Sequence, residues 1–318
     1  MQLRRNHDSQ NREQQARGKR KQGQQKSNQQ NSRRDRIPPG SSYLRVARHN
    51  LSDYTVMSAS AGVHRGRCAT IPLMSQAASA LTRTPAEVVR QTPVSQASNG
   101  ICYAMSGEVT ISEADLERMV AAVPRAAAAA LERKAYYFVP LTVSQGEDTI
   151  IADRYDVVLS DNAVCHRNLN LGDAQCVFIS TRLMDDKFSV AFEFYINVGH
   201  ALVERAGVSA AFAELAWQQV ESGTRGETSL DAWEARKLAT GHGPDAEKYK
   251  NEYLAASFAD AISIYLLSLY LDVEYHDLRE RDYPLLAPAP MAERLRKIAE
   301  IFPPSPGFEF NIYYRRRG

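Results

Sequence analysis

The sequence predicts an α+β domain that is mostly α, with a small sheet packed on one long helix, occupying residues 105–318. Three observations carry that expectation. Apolar residues recur at spacings of three and four through 186–206, the period of a helix with a buried face, and a second long helix, apolar over 255–271, is read from Asp245 to Leu271. Short apolar or alternating runs at 136–143, 153–159 and 176–179 read as strands between turn-forming residues. The first 104 residues, by contrast, hold little that could build a core.

Residues 1–36 carry 11 Lys or Arg against 3 Asp or Glu, a net +8 that leaves the rest of the chain at −6 within the overall +2. Met1, Leu3 and Ala16 are the apolar residues among them, too few to offset the entropy of ordering, so a disordered basic tail is expected. Its charge suits anionic surfaces. With no Phe, Tyr or Trp to stack on a base, specific nucleic-acid binding is not expected. Residues 37–104, opened by Pro38-Pro39 and rich in Ser, Ala and Thr, are expected to be a low-order segment with short helices and no core.

From 105 onward, Ser112 caps a helix with Asp115 three residues on, and that helix bends at Pro124 before continuing over 126–131. The strand runs follow, with turns expected at Asp161-Asn162 and at Leu169-Asn170-Leu171-Gly172-Asp173. Asp185-Asp186 cap the helix 186–206, on which Phe188, Phe192, Tyr195, Gly199, Leu202 and Ala206 form one face, and Gly207 stops it. A helix over 210–220 leads into a polar stretch with a short helical piece around Trp233; helices over 245–271 and 291–301 complete the domain.

Some classes are excluded. The most apolar segment, 255–271, is interrupted by Ser257, Asp260, Ser263 and Ser268, so a buried helix is expected rather than a membrane span. The first 30 residues lack the apolar centre of a secretory signal. Cys68, Cys102, Cys165 and Cys176 form no CxxC pair, so the default is a reducing, cytoplasmic setting with buried free thiols; Cys165, His166 and Cys176 make only a weak metal pattern. No Gly-x-Ser-x-Gly and no phosphate-cradling glycine loop is present.

The chemistry-bearing pattern is Gly199-His200-Ala201-Leu202-Val203-Glu204, which sets an imidazole and a carboxylate four apart on one helix face. Downstream, the long helix carries Glu252-Tyr253-Leu254-Ala255-Ala256-Ser257-Phe258-Ala259. This ordered pair, spanning roughly 176–270, resembles the zincin metallopeptidases, in particular bacterial families reading His-Glu-Leu-Gly-His-Ala-Leu and then Glu-x-x-Ala-x-x-Phe-Ala. The resemblance implies a zinc held by two helical histidines and the later Glu, with the Glu beside the first His activating water.

This chain reads Ile196-Asn197-Val198-Gly199-His200. Ile196 replaces the first ligand with a hydrocarbon, and Asn197 replaces the general base with an amide that takes up no proton. The resemblance thus leaves His200 and Glu252 as metal ligands, with Glu204 as a candidate third, and zinc as the cofactor if any is bound. His166, His242 and His276 could join only through folding. Three functional expectations stand, the third of which takes the motif match as chance. One is a degenerate metallopeptidase that binds a protein or peptide. The second is an active metal-dependent hydrolase with a non-standard ligand set. The third is a helical interaction protein, similar to bacterial effectors exported into host cells.

Overall fold

Thr84 accepts the backbone N–H of Glu87, while the Glu87 carboxylate accepts that of Thr84, a complete capping box that starts helix α1 (Pro85–Gln91). The computed structural model describes residues 80–131, 133–145, 148–184, 186–241, 243–273 and 283–313. Organised structure therefore begins ahead of Met105, and the segment 80–104 adds strands β1 (Thr82–Arg83), β2 (Ser95–Gln96) and β3 (Cys102–Met105) to the fold. The low-order expectation fails over those residues because Val88 and Tyr103 are buried against elements supplied from later in the chain. The tail at 1–36, His242 and His276 lie outside the described residues.

Helix α2 (Glu113–Ala121) is capped by Ser112 as expected, and the chain breaks at Pro124 into a short helix α3 (Arg125–Ala128). The run at 136–143 is two strands: β4 (Lys134–Val139) and β5 (Leu141–Gln145) are separated by Pro140 and belong to different sheets. Proline has no N–H to continue a ladder, so the chain changes partners there. The run at 153–159 departs more. Strand β6 (Asp148–Ala152) ends before it, and Asp156 accepts the Val158 N–H to start a one-turn helix α4 (Val157–Ser160), leaving Val157 and Val158 exposed. A local carboxylate cap there outcompetes strand alternation. Strands β7 (Ala163–Val164), β8 (His166–Leu171) and β9 (Ala174–Ser180) follow, with the turn at Gly172-Asp173 rather than across 169–173.

One sheet, ordered β1-β6-β5-β7, is antiparallel throughout. The other, β2-β3-β4-β9-β8, has β3, β4 and β9 parallel and ends in β8, antiparallel to β9. On one face of this second sheet Tyr136, Phe138, Val177 and Ile179 join the main core; on the other, Tyr137, Val139 and Phe178 pack with Val88.

Four larger helices and one shorter one complete the domain: α5 (Lys187–Ala206), α6 (Ala210–Glu221), α7 (Leu230–Ala239), α8 (Ala246–Tyr270) and α9 (Pro288–Ile301). The fold is α+β and mostly helical, as the sequence predicts. Helix α8 is long and apolar enough by composition to cross a bilayer, yet 78% of its most apolar window is buried inside this fold. Residues such as Tyr253, Phe258 and Leu267 explain the placement, since burying a side chain of that size contributes about 1.5–3 kcal/mol relative to exposure.

Candidate functional site

Helix α5 is fixed at both ends. Asp186 accepts the Ser189 N–H at 2.7 Å, and Gly207, at φ 72°, ends the helix in a conformation that side chains disfavour. Phe194 presses on Tyr136 and Phe138 of the sheet, with ring centroids 4.9 and 5.8 Å away. The far side of α5 meets α8 so closely at Gly199 that an added Cβ would lie 2.6 Å from the Ala259 carbonyl oxygen and 2.8 Å from Ser263 Oγ. Ser263 in turn donates to the Tyr195 and Ala259 carbonyls. Gly199, read in the sequence as part of a metal motif, is required here by helix crossing.

The strand register decides what stands opposite this helix. His166 is paired with Ile179 and Asn168 with Val177, and paired residues share a face, so His166, Asn168 and Asn170 project on the α5 side of the sheet. His166 Nδ1 reaches Glu193 Oε1 of α5 at 2.5 Å, with the two side chains 14% and 12% exposed. A carboxylate only accepts, so the imidazole N–H donates. Four residues further, the Asn197 amide donates back to the Glu193 carbonyl at 2.9 Å. His200 lies within the field of both His166 and Glu193; burial pushes its imidazole down to about 4, the neighbouring His166 adds to the shift, and Glu193 opposes it. His200 is therefore neutral at neutral pH.

The other expected ligands point to different surroundings. Glu204 is 74% exposed and lies 4.0 Å from Lys134. Glu252 is 51% exposed and paired with Lys248 on its own helix. Because α8 contacts Gly199 through Ala259, Glu252 starts about 10 Å farther along the axis, at 1.5 Å per residue. Among the described residues, no three His, Cys, Asp or Glu side chains are arranged to hold a metal ion. The chain's residues do not fit the expected zinc cage: Ile196 offers no donor, and the two carboxylates assigned with His200 lie exposed beside Lys134 and Lys248. Cys165 does not join His166, since adjacent strand residues face opposite ways; its buried thiol is pushed up to about 12. Asp260 faces the loop before α7, where it accepts from Thr228.

The residues that sequence reasoning missed are Glu193 and the role of His166. Glu193, Asn197 and His200 share one face at spacings of four and three, which was visible in the sequence. The partnership with His166 depends on the β8–β9 register, which was not.

The geometry makes a polar strip between α5 and an open sheet edge. Ser180 N–H donates to the Cys165 carbonyl, so by the alternation of antiparallel ladders the main-chain groups of His166, Asn168 and Asn170 turn away from β9 toward the free edge. Asn168 and Asn170 are exposed, while His166 and Glu193 form the floor. No protein-family model matches the chain, and no curated protein or solved structure matches it with statistical significance.

Proposed function

We propose that this domain is a binding module that takes an extended segment of a protein or peptide along the free edge of β8. The observation that carries the reading is the His166–Glu193 contact beside neutral His200, next to the edge where the outward backbone groups of β8 have no partner strand among the described residues. An extended segment added to such an edge gains main-chain hydrogen bonds, and alternate side chains of the segment meet the strip of Asn168, Asn170 and the imidazole–carboxylate floor. With a hydrocarbon at 196 and an amide at 197, neither a metal-bound water nor a general base is provided at the positions the peptidase mechanism needs.

The test uses the full chain against a displayed library of random linear peptides. Binders recovered from the library should lose binding to the Asn168→Pro variant. Proline removes an outward N–H and leaves the inward β8–β9 ladder in place, a substitution that edge strands tolerate. A library that yields no binder, or binders indifferent to Asn168→Pro in a folded variant, overturns the proposal. Metal analysis of the same preparation separates the hydrolase alternative: about one tightly held zinc, lost in His200→Ala, would favour it.

A further inference from the structure

A second polar assembly lies where α7, α8 and α9 meet. Arg294 and Glu227 are both 0% exposed, and Arg294 donates to Glu227 Oε2 at 3.0 Å, to Gln219 Oε1 at 2.8 Å and to the Tyr253 hydroxyl at 3.0 Å. Arg236 holds the other Glu227 oxygen at 2.9 Å. Two guanidinium groups thus neutralise Glu227. Asp260, on the adjoining face of α8, is served differently: Thr228 donates to it at 2.7 Å, and the Ser229 hydroxyl bonds to it too. The same Ser229 hydroxyl accepts the Ala232 N–H as the cap of α7. The charged groups facing Asp260 are Glu227 from the loop and Asp231 from α7, both acidic, while Arg236 and Arg294 are engaged with Glu227.

We propose that Asp260 is a proton-operated latch, holding the capping loop of α7 against α8 when its carboxyl is neutral and loosening that junction when it ionises. The physical cause is the placement of a half-buried carboxyl in the field of two other carboxylates, with hydroxyl donors for company. Burial is the main influence on its titration, which is raised to about 7; the Ser229 and Thr228 hydrogen bonds lower it, and Asp231 and Glu227 raise it further. Such a group holds its proton in the folded junction long after it would lose it in water. The junction therefore loses stability as pH rises from the ordinary carboxylate range toward neutrality, and the loss levels off above it. The latch reaches beyond α7, because the Thr228 carbonyl accepts the Tyr283 hydroxyl and Glu227 bridges to Leu285 in the segment leading to α9. The proposal is independent of binding at β8.

The test is amide hydrogen exchange on the full chain, read as protection factors corrected for the intrinsic pH dependence of exchange. From one unit below neutrality to one unit above, α7 protection should fall about tenfold, and in Asp260→Asn it should be flat and high. Flat protection in the wild type, or an unchanged fall in Asp260→Asn, overturns the latch. If Asp260→Asn does not fold, Thr228→Val decides. Removing a donor to the ionised form should extend the fall to higher pH, and an unshifted profile would overturn the latch just as firmly.

Discussion

The imidazole–carboxylate strip at α5 and the guanidinium network around Arg294 are both assemblies of buried charge, and they differ in what their surplus bonding capacity faces. Arg294 spreads its donors over Glu227, Gln219, Tyr253 and Ser257, and its side chain is fully buried among them. At α5, His166 and Glu193 satisfy one another beside a strand whose outer backbone groups have no partner strand among the described residues. The first arrangement holds helices together. The second has a surface to offer, which is why the binding role is placed there. A densely charged cluster is thus not by itself a sign of function; an open edge beside it is the discriminating feature.

The comparison breaks most visibly at Arg294. Arg294→Ala leaves Glu227 buried with half its compensation and should destabilise the fold by about 3–5 kcal/mol in urea unfolding. A loss below about 1 kcal/mol would show the network to be no more than a surface-like ion pair. At the α5–α8 crossing, Gly199→Ala should cost about 1–3 kcal/mol by overpacking against the Ala259 carbonyl, and the expected readout is a lower denaturation midpoint with an unchanged slope.

His200 sharpens the contrast through pH. Its folded-state value is depressed below the ordinary histidine value, so the unfolded chain takes up a proton first as pH falls. Stability should therefore decline between about 6.5 and about 4, and His200→Gln should flatten that decline. The Asp260 dependence has the opposite slope over much of the same window, so the two variants should change the pH profile in opposite senses. The smallest effect is expected at the strip itself: Glu193→Gln keeps a hydrogen-bond acceptor for His166 and should alter stability by about 1 kcal/mol or less in the same unfolding assay.

The helices were legible because their signals are local. Ser112, Asp186 and Gly207 mark ends that the structure keeps, while the buried face of α5 is centred on Ala191, Phe194, Val198 and Leu202, so that Ala206 of the expected face is exposed and Phe188 and Phe192 are half-buried. The strands were less so: Pro140 divides one run between two sheets, and Asp156 turns another into a helical cap. At the site, His200 was visible as a motif residue, while its neighbour His166 is 34 positions away in the chain and arrives only through sheet register. Glu227 sits in a glycine-bordered polar loop and Arg294 in a charged helix, where composition suggests solvent; both are buried because they meet one another. Pairings of that kind are long-range, and no period or spacing in a single sequence encodes them.

The most direct test of the binding account is to saturate the full chain with a library-selected peptide and follow backbone amides by hydrogen exchange. The account predicts new protection at His166, Asn168 and Asn170, with Arg167 and Leu169 little changed because their amides already face β9. Protection that appears elsewhere while those three amides exchange as in the free protein would contradict it.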